Sequence, residues 1–409
     1  MNKRVLAVFL FPILFPGALG AQDWSMPNRT VELGLDVDGG FGNSLIKIED
    51  VFNIHKTLLI DLKSLPDGEL FAGEQAAASA FINVNIGKDW SFGVFAGTQV
   101  DAFQSAPKEV ADLLRKGNAK TKSVDISMSG GGSAFVDAGI KAQFRVKKLR
   151  LTVKPAAYVP LIYVPPPEMD FDLDMDDSAN MSLKGTVNMD VYSAFSLEEM
   201  TQEGFSGDIG DYLPDPLPLG FDMTLEGLYS LLPVLDLGLG IANVPLYPSH
   251  LRYRMHQDIK MEGNWTDMYD TLTAGDFDLP EMESDQYFEE NATFLAFRPL
   301  RFDFFAEYRP VEIDLFVIRP HIGFSVLTIY GYDTACFNIG LDGQINIVNL
   351  FSLSLGTGYV ERMWKHSVGI RLNFRAIELD LGVSLRGPDI VSSFKGKGLG
   401  ASLGIRLGF

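Results

Sequence analysis

The chain has 409 residues, of which 46% are hydrophobic and 21% charged, with 40 glycines and 30 phenylalanines. This apolar content excludes intrinsic disorder, and the abundance of Phe and Gly favours β structure over a helical bundle. The single cysteine, Cys336, excludes an intrachain disulfide framework. The formal net charge is −19 without a basic cluster, which excludes nucleic acid as a partner because phosphate binding needs a basic face.

The first 21 residues have the order of features that export requires. Lys3-Arg4 precedes an apolar segment over 5–15, which small residues follow before the first polar stretch. We predict a cleavable signal peptide over 1–21 and one barrel domain over 22–409. After the signal no apolar run reaches the ~18 residues of a spanning helix. The exported chain is therefore a soluble β domain or an outer-membrane β-barrel.

Alternation of apolar and polar residues predicts the strands. From Leu399 to Phe409 every odd position is apolar and every even position is small or charged. The same pattern covers 136–146, 339–346, 368–374 and 377–386. Weaker segments cover 31–38, 79–86, 90–97, 149–158, 233–242, 250–259 and 350–360. Together these segments predict an antiparallel meander of roughly 12 to 18 strands, with about 14 as the central number.

The non-apolar side of these strands separates a barrel from a sandwich. In a sandwich that side meets water and carries Lys, Glu and Thr, whereas here it is often Gly or Ser. Small residues suit a curved wall around a crowded interior, and rows of Leu, Ile, Val and Phe suit lipid. We predict an all-β, antiparallel up-and-down transmembrane β-barrel of about 14 strands, with long acidic loops, one short helix and its apolar side in outer-membrane lipid.

Turn and cap residues predict where some elements end. Ser105 as a cap, an apolar face and Gly117-Asn118 predict the short helix over 105–118, whereas 222–232 fits helix or strand. Proline ends strands because it lacks an N–H for the ladder. The dipeptides Arg298-Pro299, Arg309-Pro310 and Arg319-Pro320 therefore predict strand ends about ten residues apart, which suits a tilted crossing of a bilayer.

Two segments hold most of the negative charge. Residues 168–215 contain 13 acidic residues and one lysine, and residues 258–290 contain 11 acidic residues and one lysine. We interpret both as solvated loops on the barrel rim. In the first, every second residue from Asp170 to Asp176 is Asp, which fits an extended strand or a weak divalent-cation site. The EF-hand pattern fails because Met181 stands where its Glu is needed. We predict no metal and no cofactor.

Polar residues in phase with the small side of the strands are predicted to face the lumen. They are Lys141, Arg145, Asp342, Gln344, Asn346, Arg371, Asn373 and Arg406. Such residues set the polarity of an open pore or, as the alternative, form a salt-bridged plug. Cys336 lies in phase with Asp342 and is predicted to face the same side as a structural thiol.

Two stretches resemble those of known outer-membrane barrels. Leu403, Ile405, Leu407 and Phe409 resemble the C-terminal signal that the barrel-assembly machinery reads, which implies that machinery as a partner. Ala72-Gly73-Glu74-Gln75-Ala76-Ala77 resembles a stretch near the N-terminus of the FadL-type long-chain fatty-acid transporters. The Asn-Pro-Ala motif that usually follows is absent from this chain. The resemblance implies 14 strands, an N-terminal hatch and transport, and it carries over no binding residue.

These patterns favour a monomeric outer-membrane channel that passes small apolar solutes by diffusion. A second hypothesis is a surface scaffold or adhesin that acts through the acidic segments. A third is a barrel hydrolase that uses His250 and His256, which lie six residues apart on one predicted strand. Because the sequence has no nucleophile elbow or spaced triad, we expect no enzyme.

Overall fold

The computed structural model describes residues 29–44, 69–87, 89–109, 112, 123–127, 129–175, 180–198, 216–266, 281–310, 315–326, 335–347, 350–374 and 376–409. The predicted signal peptide over 1–21 lies outside these ranges. So does most of the predicted helix over 105–118, of which Ser105 belongs to a strand. Within the described ranges the chain forms 21 strands and one short helix whose two ends are both described; Lys108, Glu109 and Asp112 of the predicted helix are also helical, as are residues 197 and 198.

The elements in chain order are β1 (Val31–Asn43), β2 (Leu70–Ile86), β3 (Trp90–Ala106), β4 (Ser123–Ser127), β5 (Ser129–Val146), β6 (Leu149–Val164), β7 (Glu168–Met175), β8 (Met181–Ser193), β9 (Gly220–Leu232), β10 (Leu235–Tyr247), β11 (Ser249–Leu251), β12 (Tyr253–Trp265), β13 (Glu281–Glu289), β14 (Phe294–Ala296), β15 (Leu300–Tyr308), β16 (Phe316–Val326), β17 (Ala335–Ile347), β18 (Phe351–Val360), β19 (Met363–Asn373), β20 (Ile377–Gly387), α1 (Ile390–Phe394) and β21 (Gly398–Gly408). The segment over 222–232, which the sequence left open, is the strand β9.

Fourteen of the described strands close into a barrel. Each is antiparallel to its neighbours in the order β1-β2-β3-β5-β6-β9-β10-β15-β16-β17-β18-β19-β20-β21, and β21 pairs with β1. Closure leaves this sheet without an edge. The predicted fold class, a β-barrel of 14 strands, is confirmed.

The two ends of the barrel differ in their connections. At one end, called the turn end, two to seven residues join β2 to β3, β5 to β6, β9 to β10, β15 to β16, β17 to β18 and β19 to β20. The other end, called the loop end, carries the long connections, together with the two-residue turn between β18 and β19 and the α1 connection. Outer-membrane barrels have short periplasmic turns and long extracellular loops.

A second sheet, called the extension sheet, stands at the loop end. Its strands pair in the order β4-β7-β8-β12-β13, and two residue pairs between β6 and β8 join it to the barrel. The acidic segments lie in connections between barrel strands as predicted, but their described residues form strands rather than irregular loops. The physical reason is that apolar residues alternate with the acidic ones, so Phe171 and Val187 share one side of the sheet and Asp172 the other.

Pro320 corrects one predicted strand end. It lies inside β16, opposite Leu341 of β17, rather than at the end of a strand. On its other side the β15–β16 ladder has no partner for Arg319 or Pro320, although it pairs Phe305 with His321 and Tyr308 with Ile318. The strand therefore tolerates a residue without an N–H by leaving a gap in one of its two ladders.

Candidate functional site: the barrel lumen

The placement of apolar and charged side chains is the reverse of that in a water-soluble protein. Large apolar side chains are exposed around the wall, as with Ile140 at 59% and Val383 at 60%, whereas Arg386 and Arg406 are 3% and 5% exposed. In water, charged residues belong outside and an apolar band of this extent does not. The fold therefore defines a transmembrane β-barrel, whose apolar side faces outward and whose polar side surrounds the lumen. No helix within the described ranges is long and apolar enough to cross a membrane.

The strand register fixes which side each predicted lumen residue occupies. Leu403, Ile405 and Leu407 share one side of β21 with the exposed apolar rows of β1 and β20, so Arg406 lies on the inner side. The same counting places all eight predicted residues, Lys141, Arg145, Asp342, Gln344, Asn346, Arg371, Asn373 and Arg406, on the side opposite the apolar rows. Their part in solute passage stays a prediction.

The structure brings two of these residues into one ionic cluster near the turn end. Arg406 Nη1 lies 2.8 Å from Glu378 Oε1, and Arg371 Nε lies 2.6 Å from Asp380 Oδ1. Arg406 also approaches Asp36 at 3.5 Å. These residues occupy the adjacent strands β19, β20, β21 and β1, so their ion pairs run along the wall rather than across the lumen.

The remaining predicted residues are spread around the wall. Gln344 Nε2 donates to Asn346 Oδ1 at 2.5 Å within β17, and Asp342 lies 3.8 Å from His321 of β16. Lys141 is buried and Arg145 is exposed at the turn end of β5.

A second set of buried charges, called the cross-lumen cluster, was not predicted from the sequence. It consists of Asp101 on β3, Arg301 on β15, and Glu361 in the β18–β19 turn, with Gln75 of β2 donating to Glu361. Arg301 Nε lies 2.7 Å from Glu361 Oε1, and Arg301 Nη2 lies 3.4 Å from Asp101 Oδ1. The Glu361 side chain is only 2% exposed.

The members of this cluster come from well-separated parts of the wall. Around the ring, β15 is five strands from β3 and three from β18. Fourteen strands spaced ~4.8 Å apart and tilted by ~40° enclose a circular barrel about 28 Å across. An arginine and a carboxylate joined head to head span only roughly 14 Å between their Cα atoms. The Arg301–Asp101 contact therefore requires the wall to bend inward, which narrows the lumen at this level.

The β18–β19 turn is shaped to carry Glu361 inward. Glu361 and Arg362 both have positive φ, +47° and +70°, the backbone of a two-residue hairpin turn. The backbone N–H of Glu361 donates to Asn338 Oδ1 at 2.9 Å. Arg362 lies over the Phe103 ring of β3 at 5.6 Å, so both turn residues contact groups on other strands.

Aromatic side chains gather toward the loop end of the inner wall. Phe71 and Phe103 stack at 6.5 Å, and Phe135 meets Tyr158 edge to face at 5.9 Å. Arg298 lies 5.6 Å from the Tyr158 ring centroid. Arg298 is held by Asp222 at 2.6 Å and by Asp137 at 2.9 Å. A layer of rings therefore lies close to the layer of buried ion pairs.

The histidines proposed for hydrolysis are not on one strand. His250 lies in β11 and pairs with Leu295, whereas His256 lies in β12 and pairs with Asp190 of β8 and Tyr287 of β13. Within the described ranges, no group of three or more His, Cys, Asp or Glu is placed to hold a metal ion.

His256 is held between two carboxylates of the extension sheet. Its Nδ1 lies 2.6 Å from Asp190 Oδ1 and its Nε2 lies 3.0 Å from Asp258 Oδ1. The hydrogen bond to Asp190 is the main cause that raises the pKa of His256. Burial works to raise the pKa of Asp190, but the hydrogen bonds from His256 and Arg254 outweigh it and leave that pKa lowered.

This geometry predicts that the extension sheet loosens as pH rises through the raised pKa of His256. Because the folded pKa of His256 is raised, its stabilising contribution is complete below its ordinary pKa and is lost as pH rises through the raised value. We expect limited proteolysis of the extension sheet to accelerate across that interval. His256→Gln should remove this pH dependence, because it removes the ion pair with Asp190. His250→Gln is the control: His250 forms no ion pair with a described carboxylate, so this variant should keep the pH dependence. Equal pH profiles for the native protein and His256→Gln would contradict this assignment.

Comparison with known proteins finds likeness of fold only. No family model and no curated protein matches the sequence. Similar solved structures include the monoaromatic hydrocarbon channel TodX as a ΔS2S3 mutant (11% identity, 97% of this chain and 94% of that chain, TM-score 0.47). They also include the CymD monoaromatic hydrocarbon channel (9%, 96% and 93%, 0.47) and a Pseudomonas aeruginosa FadL homologue (10%, 97% and 95%, 0.41). The sequence indicated a resemblance to the FadL type, and a FadL homologue is among these similar structures. Residues 72–77, which suggested it, lie in β2.

Proposed function

We propose that this protein is an outer-membrane channel that passes small apolar solutes by diffusion, and that the structure is its closed form. The observation that carries the proposal is the inverted barrel: apolar rows outside and buried, ion-paired charges inside. Such a wall is stable in a bilayer and encloses a route that lipid does not fill. The short turns at one end and the long connections at the other support an orientation with the loop end outside the cell.

Rings on the inner wall support an apolar solute. Phe71, Phe103, Phe135 and Tyr158 form an apolar layer near the loop end, but Phe71, Phe135 and Tyr158 are at most 7% exposed. In our proposal an apolar molecule reaches this layer, and leaves water, only when the packing of the closed form opens. The cross-lumen cluster lies beside this layer and narrows the route. Passage in our proposal therefore requires the β18–β19 turn to release Glu361 from Arg301.

Transport is tested with two sets of outer-membrane vesicles. One set carries this protein, and the other carries, at the same density, a control barrel whose lumen is known to be closed. We expect labelled toluene to enter several-fold faster in the presence of this protein, with the entry of a sugar of similar size unchanged. Equal entry rates with and without the protein would refute the channel function without contradicting the barrel fold.

The extension sheet supports a second function, that of a surface scaffold. It presents the acidic strands β7 and β13 at the loop end, where Glu281, Glu283 and Asp285 are exposed. Protease treatment of intact cells separates the two functions. If removal of the extension sheet abolishes attachment to surfaces but leaves solute entry unchanged, the scaffold is an independent role; if attachment is also unchanged, the scaffold is excluded.

A further inference from the structure

A cavity of about 220 Å³ opens at the loop end, where β9 begins and β10 ends. Its walls are the segment 216–219, which leads into β9, together with Tyr247, His250 and Arg252. Ala194 and Tyr253 complete the lining. The cavity therefore lies at the junction of the barrel with the extension sheet.

One side of the cavity continues the lipid-facing surface of the barrel. Tyr247 pairs with Phe221, and Phe221 pairs with Ala157 on the outer side of β6. Leu217 and Leu219 are each 42% exposed, and Tyr247 is 52% exposed. Apolar and tyrosine side chains at the upper edge of an apolar band are typical of the interface between lipid tails and headgroups.

The other side carries two basic residues. His250 packs its ring against Tyr247 at a centroid distance of 5.9 Å, and Arg252 is exposed beside it. Neither side chain makes an ion pair with any described residue, whereas Arg254, two positions further on, pairs with Asp190 at 2.8 Å. In a chain of net charge −19, a cavity that contains a guanidinium without an ion pair to any described residue is a local exception to the prevailing negative charge.

We propose that this cavity binds the phosphate headgroup of an outer-leaflet lipid, with an acyl chain against Leu217, Leu219 and Tyr247. A guanidinium matches phosphate geometry with two parallel hydrogen bonds, and a neighbouring imidazole adds a donor. The apolar wall binds the acyl chain of the lipid, which adds affinity that a free phosphate, having no acyl chain, does not gain. The inference rests on the outer-membrane location in the proposed function but not on solute passage, which is measured separately.

The test is native mass spectrometry of the detergent-purified full chain, titrated with phosphatidylglycerol, phosphatidylcholine or inorganic phosphate. We expect selective retention of phosphatidylglycerol, and about a tenfold loss of that retention in the double variant His250→Gln/Arg252→Gln. The matched control is Lys148→Gln, which removes one positive charge from the β5–β6 turn at the opposite end of the barrel. Heat-modifiable migration on a gel checks that each variant is folded.

Several outcomes would overturn the proposal. Equal retention of phosphatidylcholine, which carries a phosphate beside a choline cation, would refute selectivity for an anionic headgroup. Unchanged retention of phosphatidylglycerol in the double variant would mean that the cavity recognises the acyl chain alone. Binding of inorganic phosphate as tight as that of the lipid would assign an anion site without a lipid. An equal loss in Lys148→Gln would reduce the effect to total charge. Because toluene entry is measured on the same variants, failure of lipid binding and failure of the channel are distinguishable.

Discussion

Replacement of Leu381 by arginine is expected to lower the stability of the folded barrel in a bilayer by about 2–4 kcal/mol. Leu381 is 48% exposed in the middle of β20, and its neighbours across the strand pairs are Ile370 and Leu403. If this surface contacts acyl chains, the guanidinium loses its hydration at the depth where that loss costs most. Urea unfolding from phosphatidylcholine vesicles measures the change.

The matched control is Ile377→Arg on the same strand and the same side. Ile377 is also 48% exposed but lies at the turn end, where the charge reaches the headgroups and the expected cost is only about 0–1 kcal/mol. In a water-soluble β protein both substitutions fall on an exposed surface and change stability by little. Equal and small effects at the two positions would therefore refute the transmembrane assignment.

Removal of Arg301 is expected to open the lumen. In Arg301→Ala the carboxylates of Asp101 and Glu361 lose their shared cation while remaining buried, and breaking a buried pair in this way costs about 3–5 kcal/mol. The two like charges then repel each other, which drives the β18–β19 turn away from β3. Planar-bilayer recordings should show a higher ionic conductance than that of the native barrel.

Arg406→Ala is the control that shows the effect of losing a buried arginine whose ion pairs do not cross the lumen. Arg406 is equally surrounded by carboxylates, but Glu378, Asp380 and Asp36 lie on strands beside its own. Its removal should destabilise the barrel without raising conductance. If both variants conduct alike, or if Arg301→Ala is folded and conducts no more than the native protein, the cross-lumen cluster does not close the channel. Glu361→Gln, which keeps a hydrogen-bonding side chain of the same size, should give an intermediate conductance.

Local patterning was enough to predict most of the wall. The alternation over 399–409 and 377–386 identifies β21 and β20 and the side on which Arg406 lies, because side chains of a strand alternate strictly. The acidic segments show where this reasoning stops. Their charge indicated loops, while the apolar residues between the charges allowed β7 and β13 to pair in an extension sheet.

The cross-lumen cluster lay beyond sequence reasoning for a different physical reason. Along the chain, Arg301 is 200 residues from Asp101 and 60 residues from Glu361. Glu361 lies in a turn, where side chains do not alternate between two sides as they do in a strand. Only the closing of the sheet decides which walls face each other and how far they bend inward. The sequence by itself determined the strands, their apolar and polar sides and the barrel class, since these depend on neighbouring residues alone. The tertiary structure decided which charges meet across the lumen and where the rim cavity forms, because those contacts exist only when distant strands are brought together.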